Sequence, residues 1–167
     1  MGERCMPAIS RRRCREEAGA AAVEFALVAP ILFSLVFGII GFGFVFAQEL
    51  SLGNGARQGA RFGVVNDATC QDITDQTRSG AETINMTAAN VQVVVYLNSS
   101  EPDASDTSIC DSSDASKSAN VPCQDSTTGD NLYVYARFVS DISVPLLPIS
   151  GQFPLQGTGV FRCEFSG

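Results

Sequence analysis

FALVAPILFSLVFGIIGFGFVFA, residues 25–47, is a run of 23 positions without one charged side chain. As an α-helix at 1.5 Å per residue it is about 34 Å long, enough to cross the ~30 Å hydrocarbon layer of a bilayer. It holds six of the eleven phenylalanines: Phe25, Phe33, Phe37, Phe42, Phe44 and Phe46. Its apolar side chains face all round, which suits lipid or a bundle core rather than a helix with one buried stripe. The run also exceeds the apolar core of a secretory signal, roughly 7–15 residues. It predicts a single membrane-spanning helix, with the lipid bilayer as its first partner.

The flanks differ in charge. Residues 1–19 carry five arginines (Arg4, Arg11, Arg12, Arg13 and Arg15) against three acids, a net of +2. From Ala20 onward six cations face fifteen acids, a net of −9. Cationic flanks stay in the cytoplasm, so the chain after about residue 48 is expected outside. The cysteines agree with that topology. Cys70, Cys110, Cys123 and Cys163 all follow the span, and four cysteines in an oxidising compartment form two disulfides. Three pairings are possible. Cys110–Cys123, closing a short loop, with Cys70–Cys163, tying the end of the chain to the stem, is the expected one. No CxxC pair suggests zinc, and no metal site or cofactor is expected.

Composition excludes several functions. The absence of histidine removes Ser-His-Asp and Cys-His nucleophile systems, HExxH metal sites and His-based zinc fingers. There is no phosphate-binding glycine loop and no GxGxxG opening a βαβ unit. A net charge of −7 argues against a nucleic-acid partner. Ser, Asp and Lys117 show no Ser-Lys or paired-carboxylate spacing. No enzymatic activity is expected.

Beyond the span, residues 48–66 (QELSLGNGARQGARFGVVN) continue the helix. Gly55, Gly59 and Gly63 recur every four residues, beside Ala56 and Ala60. Such a ridge admits a closely packed neighbour. It is expected to pack on the protein's own sheet, the other reading being a neighbouring subunit's helix. Residues 72–87 predict a second helix, with Ile73, Ala81, Ile84 and Ala88 as a rough apolar stripe. VQVVVYL (91–97), LYVYARFV (132–139) and residues 156–165 predict strands. Residues 144–148, VPLLP, predict an extended connector. Residues 98–130 read as a polar, disordered-looking loop. The fold class is therefore α+β: a long N-terminal helix, then a small exterior domain with a second helix and a short antiparallel sheet. Asp103, Asp106, Asp111, Asp114, Asp125 and Asp130 crowd the loop without EF-hand spacing and read as a solvated acidic surface, with calcium as the sharper alternative.

The membrane boundary is the informative stretch. Glu24 stands one residue before the span, where a carboxylate drawn into lipid is unfavourable. Gly19 lies five residues earlier, behind the Arg-rich head and ahead of Ala20, Ala21 and Ala22. The segment Gly19-AAAV-Glu24-Phe25-ALVAPILF resembles the TadE-like family of pseudopilins from bacterial tight-adherence (Flp-type) pilus systems. GARQGARFG, 55–63, is similar to the small-and-Arg segment that follows the helix in that family. The chain departs from the family pattern at Gly41, where many relatives carry an acid.

The resemblance implies a type IV pilin-like fold and a division into a cleaved cytoplasmic leader (1–19), an N-terminal helix (20–66) and an exterior domain (67–167). It implies cleavage by a prepilin peptidase between Gly19 and Ala20, and assembly through Glu24 and Phe25, with Glu24 pairing with the new Ala20 amine. Ser34, Gly38, Gly41 and Gly43 offer close-approach sites for neighbouring helices, and Pro30 permits local bending. The implied partners are the peptidase, other pilins and pseudopilins, and inner-membrane pilus assembly proteins. The alternative is a permanently anchored exterior module that binds a ligand such as calcium.

Overall fold

A computed structural model describes residues 9–65, 68–83, 86–98, 108–124, 126, 129–143 and 150–164, with side chains from Ala20 onward except at 142, 143 and 150. Helix α1 runs unbroken from Ile9 to Val65, 57 residues with Pro30 inside. It begins well upstream of Gly19, in a stretch of Arg, Glu and Ala that favours helix. At 1.5 Å per residue it is about 85 Å long, so only part of it can be buried in so small a protein. The buried part is the C-terminal third. Gln48, Leu52, Ala56, Ala60 and Val64 recur every four residues, and all are buried.

Helix α2 spans Cys70–Ala81, shorter than the expected 72–87. Thr69 and Asp72 form a capping box at its start, and Glu82 leaves the helix with extended φ and ψ. Of the expected stripe, Ile73 and Ala81 are buried on α2. Ala88 instead begins a 3₁₀ turn, and Ile84 lies outside the described residues.

Four strands follow: β1 (Gln92–Leu97), β2 (Cys110–Asp111), β3 (Asn131–Ser143) and β4 (Ser150–Arg162). They form one antiparallel sheet in the order β2-β1-β3-β4. β2 and a 3₁₀ turn at Ala115–Lys117 lie within the expected loop. The connector 144–148 and Phe165 fall outside the described residues. Register puts Val93 opposite Ala136 and Val95 opposite Val134, and these side chains meet Leu52, Ala56 and Ala60 in the core. On the other face Tyr96 and Tyr135 pack edge to face at 5.8 Å. The α+β class is borne out.

The disulfides pair otherwise than expected: Cys70 with Cys110 and Cys123 with Cys163, at Cα separations of 5.4 and 5.8 Å, both ordinary for the bond. The segment after β2 folds back over the start of α2. Cys70 N–H donates to Asn120 O at 2.8 Å, and Asn120 Nδ2 donates to Ile109 O at 3.0 Å. That brings Cys110 to the first residue of α2. At the other end, Cys163 N–H donates to Asp130 O at 2.8 Å and carries Cys163 toward the segment holding Cys123. Cys110 and Cys123 are thereby drawn to different partners.

Candidate functional site

The site is α1 itself, which has two environments along its length. From Val23 to Leu50 the large apolar side chains are exposed, with Phe25 68%, Leu27 71%, Ile31 70% and Phe42 65% accessible. No part of its most apolar window is buried in the molecule. Left in water, each such side chain forgoes about 1.5–3 kcal/mol of burial. The core helix of a soluble protein would be covered. A detachable signal would not continue, as α1 does, into the domain's own core through Leu52, Ala56, Ala60 and Val64. A membrane anchor accounts for both properties, and α1 is the single helix long and apolar enough to cross a bilayer among the described residues.

Gly19 and Ala20 lie within the continuous helix. Ala20 and Glu24 are four residues apart, one above the other on the same helix face. Glu24 is exposed, as is Phe25. Ser34 Oγ donates to Pro30 O at 2.8 Å, so this hydroxyl is satisfied inside its own helix. A Cβ added at Gly38 or at Gly43 would meet nothing within 4 Å. Phe33 and Phe37 stack one turn apart at 6.4 Å.

The glycine ridge is occupied from within the chain, but by α2 rather than by the sheet. A Cβ on Gly55 would stand 2.8 Å from Ala81 Cβ, and one on Gly59 would collide with Thr77 Oγ1. A Cβ on Gly63 would stand 2.8 Å from both Ile73 Cδ1 and Leu132 Cδ2, so β3 joins α2 against the ridge at this end. Thr77 Oγ1 faces Gly59 and donates to Ile73 O at 2.7 Å, which keeps the hydroxyl satisfied in the contact. Ser51 Oγ adds a bond to Ala81 O at 3.0 Å.

The sheet meets α1 through glycines of its own. A Cβ at Gly157 would strike the main chain of Leu52 and Gly53, and one at Gly159 that of Ala56 and Arg57. The alternation Gln156-Gly-Thr-Gly-Val puts both glycines on one strand face. That spacing is the sequence signal that could have located the contact. A second contact carries no such signal: buried Ser140 Oγ donates to buried Gln48 Oε1 at 2.7 Å.

Three of the loop aspartates are described: Asp111 and Asp114 each support a local turn, and Asp130 ties the two ends of the loop together. Asp111 accepts from Ser113 N–H and Oγ at 2.8 and 2.6 Å, Asp114 from Ser116 N–H and Oγ at 3.0 and 2.6 Å, and Asp130 from Asn98 Nδ2 at 2.7 Å. Partial burial opposes ionisation of Asp111, but the Ser113 hydroxyl and amide, Gln92 and the Lys117 charge outweigh it and leave the pKa lowered. The Ser116 hydroxyl and amide lower that of Asp114. No group of three or more acids or cysteines positioned to hold a metal occurs among the described residues. Asp103, Asp106 and Asp125 lie outside them.

Residues 19–61 match the family model described as TadE-like protein. The match opens on Gly19 and closes within the glycine ridge, so the resemblance read from the boundary segment is borne out there. The matched segment is the apolar stretch of α1 and most of its continuation, so the likeness to that family is one of the helix and not of the exterior domain. No curated protein and no solved structure matches the chain.

Proposed function

We propose that the chain is a non-enzymatic minor pseudopilin. A prepilin peptidase cuts between Gly19 and Ala20, and the remaining α1 docks among other pilins and pseudopilins and the inner-membrane assembly proteins. The observation that carries this reading is the coincidence of the family match, residues 19–61, with an apolar helix that the molecule leaves uncovered.

The chemistry at the cut is simple. Hydrolysis frees an α-amino group on Ala20, with an ordinary pKa near 7.7–8.0, and removes the arginine-rich head. Glu24 becomes the fifth residue of the mature chain. One helical turn separates its carboxylate from the new ammonium, and a neighbouring chain's ammonium can take the same place. In lipid an unpaired ion of either sign is strongly disfavoured and a matched pair much less so. The pair therefore favours one axial register between helices. The basic leader, retained before cutting, holds the N-terminus in the cytoplasm and the domain outside.

Mapping the N-terminus by mass spectrometry, in cells with and without the peptidase, tests the cut. Ala20 should be the first residue only where the peptidase is present, and Gly19→Phe should keep the leader attached. Recovery of an intact Met1 terminus from peptidase-positive cells overturns the reading.

A further inference from the structure

The β3–β4 ribbon has a fixed direction along α1. Gly159 lies against Ala56–Arg57 and Gly157 against Leu52–Gly53, while Ser140, paired with Phe153, bonds to Gln48. Moving down β4 from 159 to 153 thus moves down α1 from 56 to 48. Gln48 is the first polar residue after the uncharged run, and Glu49 the first charge. The ribbon does not stop at that level. Three further pairs follow, Asp141 with Gln152, Ile142 with Gly151 and Ser143 with Ser150. At about 3.3 Å per residue they extend it roughly 10 Å toward the N-terminal side of α1. β1 has already ended, its last pairing being Gln92 with Arg137, so this end is a two-stranded ribbon.

Its surface at that level is apolar on both faces. Val139 is 52% exposed, next to its exposed partner Pro154. Phe153, on the face of Ser140, is 46% exposed. Asp141 is the one charge beyond Arg137 on the described strand ends, and its carboxylate accepts from Gln152 Nε2 at 3.0 Å. Alongside, α1 exposes Phe42, Phe44 and Phe46.

The headgroup layer on one side of a bilayer is about 5–7 Å thick, from a ~30 Å core within ~40–45 Å overall. A ribbon that runs roughly 10 Å back from the level of Gln48, alongside the end of the span, does not clear that layer. We propose that the end of the β3–β4 ribbon is a second membrane contact, with Phe153 and Val139 seated at the headgroup–acyl boundary of the leaflet on the domain's side. This inference rests on the reading of α1 as a membrane span with the domain outside. Apolar side chains flanked by hydroxyl and amide groups (Ser140, Gln152) suit that boundary, where one end of a segment is dry and the other wet.

The chain has no tryptophan, so an introduced one reports alone. The full chain is reconstituted in phosphatidylcholine vesicles with plain or acyl-brominated lipid, carrying Phe153→Trp, Val139→Trp, Phe42→Trp or Phe161→Trp. Phe161 is also exposed, at 39%, but lies eight residues further along β4, roughly 26 Å away. Bromination should remove roughly half or more of the emission at positions 42, 139 and 153 and little at 161, as depth in the bilayer requires. The Val139 variant reads the ribbon independently if the Phe153 variant does not fold. Quenching at 42 with 139 and 153 behaving like 161 overturns the proposal and leaves the span standing. Loss of quenching at 42 removes the span and this contact with it. Emission at 153 that ignores bromination but shifts with protein-to-lipid ratio assigns the surface to a second copy and overturns the membrane contact.

Discussion

Ser140 Oγ donates a 2.7 Å hydrogen bond to Gln48 Oε1 and joins β3 to α1 across 92 residues of chain. Both residues are buried, at 4% exposure each. The bond fixes the sheet against the helix where the uncharged run ends, so the domain and the anchor share one frame.

Removing one partner should therefore destabilise the domain. Ser140→Ala leaves Gln48 Oε1 without this donor in a buried place, a loss of about 1–3 kcal/mol. Gln48→Leu combined with Ser140→Ala should cost less than the two separate losses together, with a coupling of about 1 kcal/mol. Denaturant titration of the detergent-solubilised chain measures the cycle, and strict additivity would refute the coupling.

The two glycine contacts predict a different pattern. Gly59→Val and Gly157→Val each drive a branched side chain into fixed atoms, Thr77 in one case and the Leu52 main chain in the other. Each should cost at least about 1–3 kcal/mol and lower the melting temperature by roughly 4–8 °C per kcal/mol. Calorimetry in detergent decides it, and an unchanged midpoint for either variant would contradict the packing.

Gly38 is the contrasting position, since among the described residues nothing outside its own helix backbone lies within 4 Å of a Cβ placed there. Gly38→Leu should leave the domain's unfolding free energy unchanged within about 0.5 kcal/mol while weakening helix–helix crosslinking in membranes from pilus-producing cells. Unaltered crosslinking would leave Gly38 without a role in packing.

Acid should weaken the start of α2. Asp72 accepts from Thr69 Oγ1 at 2.6 Å and from Thr69 N–H at 3.1 Å, and these bonds hold its pKa below the ordinary carboxylate value. A carboxyl whose folded pKa lies below its unfolded value near 3.9 stabilises the fold above that value. The contribution is lost as the pH falls through the folded pKa. Asp111 and Asp114 act in the same direction. Asp72→Asn should be less stable than the parent at pH 7 and should lose less stability between pH 5 and the acid limit. Parallel pH–stability curves would contradict the cap's contribution.

The bridges make a covalent prediction. Non-reducing peptide mapping should recover Cys70 linked to Cys110 and Cys123 linked to Cys163. Replacing either pair by serine should cost about 2–5 kcal/mol. A Cys110–Cys123 peptide would contradict the fold.

Much of the architecture was legible in the chain because it rests on local pattern. The uncharged run announced the exposed half of α1, and the β-branched residues of VQVVVYL announced β1. The second helix was expected from 72, and the Thr69–Asp72 capping box starts it at Cys70 instead. The disulfide pairing was not legible, because it depends on where the turn after β2 lands, a matter of Asn120 reaching Ile109 O and Cys70 N–H. The partner of the glycine ridge was half legible. Four-residue spacing shows that something comes close, but a helix and a sheet exploit that spacing equally, and only the facing residues Thr77 and Ala81 decide between them. The candidate site divides the same way. Glu24 and Gly19 stand out by chemistry at a membrane edge, whereas Ser140 is an ordinary strand serine until its partner is seen.

The bridges stand one after the other along the chain, both cysteines of the first preceding both of the second. For a polypeptide threaded outward in sequence order, Cys70 and Cys110 meet an oxidant while Cys123 is still in transit, and their ring has one way to close. The second ring then closes with the thiols that remain. Maturation of such a chain calls for an oxidase at the translocation exit but not for an isomerase to unscramble wrong links.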